Sequence, residues 1–235
     1  MTADVDVALD DKELARATFA LLSGAPAELL PRHRHQLSRE EVRRSQTARI
    51  LAAAIELFGD HGYAETTVAQ IADRAGVSRR TVYDLYDSKE ALFLHTYRCT
   101  QLLMAAGAGA GNSSPDAVTQ QTLPQTVRHL LAVIATSPAA ARMFFLEATG
   151  AGDRVRARRN DAIAEFVNAV TPGLQQLRAT TEPGLPPLSL GLCNAIVAAA
   201  IELVVQHLAH NEPETLPEIE PAITEIIRAV VTPNH

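Results

Sequence analysis

Apolar residues recur along most of this chain three and four positions apart, which is the spacing of one face of an α-helix. A short face of this kind comprises Val68, Ile71, Ala72 and Ala75. A longer face upstream comprises Ile50, Leu51, Ala54, Leu57 and Phe58. Similar patterns predict helices over residues 90–106, 116–136, 137–150, 153–177, 188–209 and 217–231. The pattern therefore predicts an all-α protein.

Polar residues and one glycine predict how the short helix begins and ends. Thr67, with Gln70 three positions later, fits a capping box at its start. Gly76 most easily adopts a positive φ, so it ends the helix and turns the chain. Ser78 then fits the N-cap of a second short helix that runs to about Tyr83. This arrangement is typical of a helix-turn-helix, although a two-helix corner in any helical protein shows the same signals.

Residues after this pair of helices favour a nucleic-acid role. Tyr83 and Tyr86 are aromatic residues that can pack inward while their hydroxyl groups reach a phosphate. Ser88 fits the N-cap of the next helix, and Lys89 places a cation near the N-terminus of that helix. The helix dipole disfavours a cation there, so a phosphate partner explains this lysine better than helix stability does.

Residues 45–98 closely resemble the DNA-binding domain of the TetR family of bacterial transcriptional regulators. The resemblance rests on the segments ILAAAIELFGDHGY, TTVAQIADRAGVS and RRTVYDLYDSKEAL. It implies a three-helix helix-turn-helix DNA-binding domain (38–88) and a larger helical ligand-binding and dimerisation domain (89–235), which an N-terminal extension (1–37) precedes in this chain. It also implies a homodimer. Many family members are repressors that a small molecule releases from a palindromic operator.

The predicted DNA contacts lie on the helix-turn-helix and on the start of the helix before it. The set is Arg43, Arg44, Thr67, Ser78, Arg79, Arg80, Thr81, Tyr83, Tyr86 and Lys89. Arg79 and Arg80 suit bidentate contacts to guanine, each adding about 1–3 kcal/mol of discrimination. Asp84, Leu85 and Asp87 depart from the family, in which these positions are often basic, histidine or polar. These departures leave the operator sequence open.

The charge balance limits how this chain can bind DNA. The net charge is −6, but residues 38–98 carry nine Lys+Arg and nine Asp+Glu, so all of the excess lies elsewhere. A neutral domain is poorly suited to coating DNA in general, so we expect site-specific binding. The sequence shows no nucleophile–base spacing, metal cluster or glycine-rich phosphate loop, so we expect neither an enzyme nor a cofactor.

The N-terminus and the most apolar run bear on where the protein works. The first residues are acidic and lack the basic and apolar regions of a secretory signal. The most apolar run, 195–205, contains Glu202 and is too short to span a bilayer. Cys99 and Cys193 are expected to be buried, reduced thiols. We therefore expect a cytoplasmic protein that does not associate with a membrane.

The extension 1–37 is longer than the few residues that the family usually carries there. Asp10 or Asp11 can cap a helix with an apolar side over residues 14–22. The basic stretch Arg-His-Arg-His at 32–35 is either a DNA-binding arm or a solvated linker. Its two histidines have no carboxylate or cysteine cluster beside them, which disfavours a metal site.

The larger domain is expected to dimerise and to bind a ligand. Helix 188–209 and the last helix resemble the dimerising pair of the family, although their apolar residues also suit an intramolecular core. Candidate ligand-binding residues are Met143, Phe144, Glu147, Phe166, Asn194 and Glu202. Such residues suit a small apolar or amphipathic effector, and they equally suit core packing. A constitutive DNA-binding protein without an effector is the alternative.

Overall fold

The computed structural model describes residues 3–23, 38–110 and 119–233 of the chain. The helices in these ranges are Ala3–Leu22 (α1), Arg39–Glu65 (α2), Val68–Ala75 (α3), Arg79–Tyr83 (α4), Lys89–Ala110 (α5), Leu123–Ala135 (α6), Pro138–Phe145 (α7), Asp153–Thr181 (α8), Leu190–His210 (α9) and Glu220–Val231 (α10). Two 3₁₀ turns, Glu147–Thr149 and Pro213–Ile219, precede α8 and α10. The described residues contain no strand, and the predicted all-α class is confirmed.

The chain forms two compact units. The first unit comprises Met1–Met104 and Arg142–Arg156, and the second comprises Ala105–Ala141 and Ala157–His235. Helices α5 and α8 each contribute residues to both units. The domain boundaries predicted after residues 37 and 88 remain a prediction.

The apolar face of α2 forms much of the core of the first unit. Its buried residues are Ala48, Ile50, Leu51, Ala52, Ala53, Ala54, Ile55 and Phe58. The ring of Phe58 lies 5.7 Å from that of Tyr63 and 5.0 Å from that of Phe93, measured between centroids. Tyr63 and Phe93 meet edge to face at 5.2 Å. These three rings, here called the aromatic cluster, join the end of α2 to the first half of α5.

The predicted helix-turn-helix is present as α3 and α4. The Gln70 N–H donates to Thr67 Oγ1 at 3.3 Å, and the Thr67 N–H donates to Gln70 Oε1 at 2.8 Å, which completes the predicted capping box. Gly76 ends α3 at φ 64°, in the left-handed region that glycine adopts without steric penalty. The residues that α3 and α4 bury are Ile71, Ala72, Ala75 and Val82.

A glycine kink interrupts α2 before its last turn. Gly62 has φ 82°, a conformation that side chains with a Cβ rarely adopt. A Cβ at this position would also lie 3.2 Å from Oε2 of Glu147. That carboxylate oxygen accepts the backbone N–H of Tyr63 at 2.7 Å. Both the backbone conformation and the close carboxylate therefore favour glycine at position 62.

The helix in the N-terminal extension is longer than predicted. Because α1 begins at Ala3, Asp10 and Asp11 lie inside the helix and not at its N-cap. Asp11 forms an ion pair with Arg98 of α5 at 2.8 Å. Leu14 is buried, and α1 packs along α2. Helix α1 is therefore part of the first unit.

In the second unit, α10 packs against α6, α9 and the Pro213–Ile219 turn. Glu220, at the start of α10, is buried and pairs with Arg128 of α6 at 3.0 Å. Arg178 of α8 is also buried and donates to the carbonyl oxygens of Val230 and, at 3.1 Å, Val231. A carboxylate at the N-terminus of α10 and a guanidinium at its C-terminus both match the direction of the helix dipole.

Several helix boundaries differ from the predicted ones. Helix α5 continues to Ala110 instead of ending near residue 106, because Gly107 packs closely against Val133 of α6. Helix α8 passes through Pro172, which is exposed and costs the helix one backbone hydrogen bond without ending it. Helix α6 begins at Leu123, and the predicted start at residue 116 lies outside the described residues.

Helix α9 agrees with the helix predicted over 188–209 and extends beyond the apolar run 195–205 at both ends. It has 21 residues with a mean hydropathy of 1.7 in its most apolar window, which is sufficient in length and composition to cross a membrane. The core helix of a soluble protein passes the same test. The composition of α9 therefore does not distinguish a membrane span from a helix of a globular fold.

The two cysteines are buried and free, as predicted. Burial raises the pKa of the Cys99 thiol to about 12, and the nearby Asp11 carboxylate adds to this effect. The thiol therefore stays protonated and unreactive near neutral pH.

We expect Gly107→Ala to destabilise the protein. A Cβ at position 107 would lie 2.6 Å from Cγ1 of Val133, and such overpacking costs about 1–3 kcal/mol. This cost exceeds the gain of about 1 kcal/mol that alanine has over glycine in a helix. In a Val133→Ala background the clash is absent, so the same substitution should stabilise the protein. Urea denaturation of the wild type, the two single variants and the double variant measures the coupling between positions 107 and 133. Equal effects of Gly107→Ala in both backgrounds would contradict the close approach.

Candidate nucleic-acid interface

Helix α4 is held at its N-terminus by a serine cap. The Thr81 N–H donates to Ser78 Oγ at 3.0 Å, and the two hydroxyl oxygens lie 2.8 Å apart. Val82 faces the core, while Arg79, Arg80 and Tyr83 are exposed. One turn of helix is thereby fixed in position, with two cations and one phenol directed to solvent.

The carboxylate of Asp84 lies close to this basic surface. Its Oδ2 is 3.9 Å from Nε of Arg80, whose side chain is 90% exposed. An exposed pair at this distance contributes little, at most about 0.5 kcal/mol between neighbouring helix turns. Arg80 is therefore available to a stronger acceptor. Its pairing with Asp84 also lowers the repulsion between that carboxylate and a DNA phosphate.

The two tyrosines after the turn differ in environment. Tyr83 is 57% exposed, and the described residues provide no hydrogen-bond partner for its hydroxyl group. Tyr86 is 8% exposed, and its hydroxyl lies 2.8 Å from Nδ1 of His95. Burial raises the pKa of Tyr86, with smaller contributions from the nearby Cys99 and Asp11. The two hydroxyl groups are thus unequal candidates for a phosphate contact.

Lys89 has internal partners that the sequence did not suggest. Its Nζ donates to the carbonyl oxygens of Tyr63, Ala64 and Thr66, at 2.8, 3.3 and 3.0 Å. The ammonium group also lies 4.3 Å from the centroid of the Tyr63 ring. Three carbonyls satisfy all three donors of an ammonium group. The lysine therefore caps the C-terminal end of α2, which its position near the start of α5 does not reveal.

The arginines at the start of α2 also differ. Arg43 is exposed, whereas Nη1 of Arg44 donates to Oε2 of Glu13 in α1 at 3.1 Å. The extension thus supplies a carboxylate to one of the cations predicted to contact DNA. The basic stretch 32–35, predicted as an arm or a linker, lies outside the described residues.

The predicted ligand-binding residues are divided between the two units. In the first unit, Met143 is fully buried, Phe144 stacks on Tyr97 with centroids 4.3 Å apart, and Glu147 accepts the Tyr63 N–H. In the second unit, the predicted residues Phe166, Asn194 and Glu202 are exposed. Oε1 of Glu202 accepts a hydrogen bond from the side chain of Gln206.

The described residues contain no group of three or more His, Cys, Asp or Glu side chains that could hold a metal ion.

Residues 50–96 match the family model described as bacterial regulatory proteins, tetR family. They include most of α2, the whole helix-turn-helix and the start of α5. This part of the chain is a DNA-binding domain of the TetR type. The relatives that it matches are described as HTH-type transcriptional regulators.

Comparison with individual regulators agrees with this match. An uncharacterized HTH-type transcriptional regulator of Mycobacterium bovis is 29% identical over 145 residues, which cover 60% of this chain and 65% of the relative. The chain spans less than two thirds of the length of the curated relatives that it matches, and as little as 25%.

Solved structures share the fold of this chain. FadR from Bacillus subtilis, in complex with stearoyl-CoA, has a TM-score of 0.62 and 19% identity, covering 80% of this chain and 98% of its own. A tetR-family regulatory protein from Rhodococcus RHA1 has a TM-score of 0.61 and 24% identity, covering 79% of this chain and 96% of its own. At these identities the likeness concerns the fold alone.

Sequence reasoning missed three groups that surround the predicted contacts. These are the carboxylate of Glu13, the imidazole of His95 and the carbonyl groups at the end of α2. Tyr86 and His95 are nine residues apart, and Arg44 and Glu13 are 31 apart. No local pattern pairs residues at such separations, so only the packing of α1, α2 and α5 reveals them.

The two tyrosines offer a matched test of the interface. We expect Tyr83→Phe to weaken DNA binding about tenfold, because one hydrogen bond to a charged phosphate is lost. Tyr86→Phe should leave DNA affinity unchanged and lower the free energy of unfolding by about 1 kcal/mol, the contribution of its bond to His95. Fluorescence anisotropy with labelled DNA and urea denaturation measure the two effects. A larger loss of DNA affinity in Tyr86→Phe would assign the phosphate contact to Tyr86 instead.

Proposed function

We propose that this TetR-family protein is a homodimeric repressor that binds a palindromic operator in the cytoplasm and is released by a small apolar or amphipathic effector. The observation that carries the proposal is the serine-capped α4, which presents Arg79, Arg80 and Tyr83 to solvent. A short helix that follows a helix-turn-helix turn lies in the major groove, where its N-terminal residues contact base edges.

Base recognition in this proposal rests on the two exposed arginines. Arg79 and Arg80 lie at the N-terminal end of α4, and a guanidinium can donate two hydrogen bonds to O6 and N7 of guanine. Thr81, whose hydroxyl is close to that of Ser78, is half-exposed beside them and can accept or donate.

Phosphate contacts come from groups around α4. Tyr83 and Arg43 are exposed, and Thr67 and Ser78 lie at the N-caps of the two helices of the motif. Arg44, Tyr86 and Lys89 stay in the predicted set as secondary candidates, because the polar group of each already has an internal partner. Such contacts set the register of a protein on DNA and carry no sequence information.

Dimerisation is supported by exposed apolar side chains in the second unit. Leu190 is 57% exposed, and Leu192 and Phe166 are exposed as well. Ala195 and Ala198 continue the exposed side of α9 with small residues that permit close helix packing. Large apolar groups in contact with water favour burial against a partner, and a second copy of the chain would supply it by two-fold symmetry.

The proposed effector is a small apolar or amphipathic molecule. Met143, Phe144, Glu147, Phe166, Asn194 and Glu202 remain the proposed ligand-binding residues. The stearoyl-CoA bound to FadR from Bacillus subtilis suggests an acyl chain attached to a polar group as the first class to test. Since α5 runs continuously from Lys89 to Ala110 with residues in both units, an effector that shifts it would change the spacing of the two recognition helices.

Selection of bound DNA from a random pool tests the proposed operator. We expect a short inverted repeat with half-sites about one helical turn apart. Arg79→Ala and Arg80→Ala together should remove most of the preference for this repeat, while sedimentation still shows a folded dimer. If the purified dimer recovers no common sequence, or the double variant keeps its preference, the proposed mode of operator recognition is wrong.

Addition of stearoyl-CoA to the protein–operator complex tests the effector class. We expect release of labelled operator at micromolar ligand, with no release by coenzyme A alone. Release by neither compound excludes acyl-CoA. Failure of a broader panel of apolar and amphipathic compounds would favour the alternative of a constitutive DNA-binding protein.

A further inference from the structure

Arg49 of α2 has an unusual environment for an arginine. It is half-buried, and its Nε is buried without a hydrogen-bond partner among the described residues. Its terminal nitrogens are not buried in this way, and no ion pair joins them to a carboxylate in that part of the chain. A guanidinium has five N–H donors and no acceptor capacity, so an arginine held in this manner lacks an anion.

The guanidinium of Arg49 lies at the turn of the helix-turn-helix. Nη1 is 3.6 Å from the position that a Cβ on Gly76 would occupy. Gly76 is two residues before Ser78, the N-cap of α4, so the free nitrogens lie near the start of the recognition helix. When such a helix enters the major groove, the turn before it lies at the edge of the groove, beside the phosphate backbone.

Several other arginines of the first unit already have carboxylate partners. Arg74 pairs with Glu56 at 2.7 Å, Arg98 with Asp11 at 2.8 Å, and Arg44 with Glu13 at 3.1 Å. Residues 38–98 carry as many acidic as basic side chains, so affinity for DNA depends on which cations remain available. Arg49 stands apart from these three because its charge has no such partner in the described structure.

We propose that Arg49 binds a phosphate of the DNA backbone beside the helix-turn-helix turn. The packed Nε fixes the stem along the turn, and the terminal nitrogens donate to the phosphate oxygens. This contact is independent of base sequence and fixes how deeply α4 enters the groove. The proposal rests on the DNA-binding function described above and adds a residue to it.

The test is the salt dependence of binding by Arg49→Gln, which keeps a stem and removes the charge. One lost phosphate contact should reduce the slope of log K against log salt concentration by about 0.9. If the variant and the wild type bind equally at 1 M salt, this smaller slope makes the variant bind about eightfold more weakly at 0.1 M salt. The loss should be equal on the selected operator and on a duplex of arbitrary sequence.

Arg74→Gln is the matched control, because it removes one charge from the same unit at a residue that is already paired with Glu56. Both variants change the net charge equally, so any difference between their slopes reports a direct contact. Arg49→Lys should keep most of the slope, since an ammonium also binds phosphate as a point charge. A purely structural role of Arg49 would affect the lysine and glutamine variants alike and would lower their melting temperature.

The outcomes distinguish this proposal from the proposed function. If the wild-type protein binds no duplex, the DNA-binding function itself is wrong. If the wild-type protein binds and Arg49→Gln has the slope of Arg74→Gln, the phosphate contact is wrong and the function stands. If Arg49→Gln fails to fold, a slope of Arg49→Lys equal to that of the wild type supports the contact, and a slope lower by about 0.9 overturns it.

Discussion

The aromatic cluster of Phe58, Tyr63 and Phe93 is the contact on which the DNA-binding unit depends. It joins the end of α2 to α5, and α3 and α4 lie between these helices in the chain. Aromatic pairs of this kind contribute about 0.5–1.5 kcal/mol each beyond their buried area. Lys89 strengthens the same junction, since it contacts the Tyr63 ring and three carbonyls at the end of α2. The position of the recognition helix follows from this junction and its two caps.

Charge in the first unit is organised by pairing. The domain is neutral over residues 38–98, and several of its cations are committed to acidic side chains. The extension contributes to this, because α1 brings Asp11 to Arg98 and Glu13 to Arg44. A DNA-binding surface with few free cations gains little from general phosphate attraction. Its affinity must come from a small number of well-placed contacts, which is what a site-specific regulator requires.

The 3₁₀ turn that holds Glu147 links the later part of the chain to the DNA-binding unit. The carboxylate of Glu147 accepts the N–H of Tyr63 where Gly62 interrupts α2. This contact adjoins the aromatic cluster, because Tyr63 takes part in both. Sequence reasoning proposed Glu147 as a ligand group, and the structure shows that its carboxylate holds the backbone at the kink of α2.

The sequence by itself determined the helices, the caps at Thr67 and Ser78 and the glycine turn, because these depend on residues within one or two turns of each other. It also placed Arg79 and Arg80 on the outer side of α4. Only the tertiary structure decided which polar groups are free, because the partners of Tyr86, Arg44 and Lys89 lie on other helices. The tertiary structure also extends α5 beyond its predicted end near residue 106, where Gly107 lies against Val133 of α6. Local signals specify secondary structure, whereas the availability of a side chain depends on packing between distant segments.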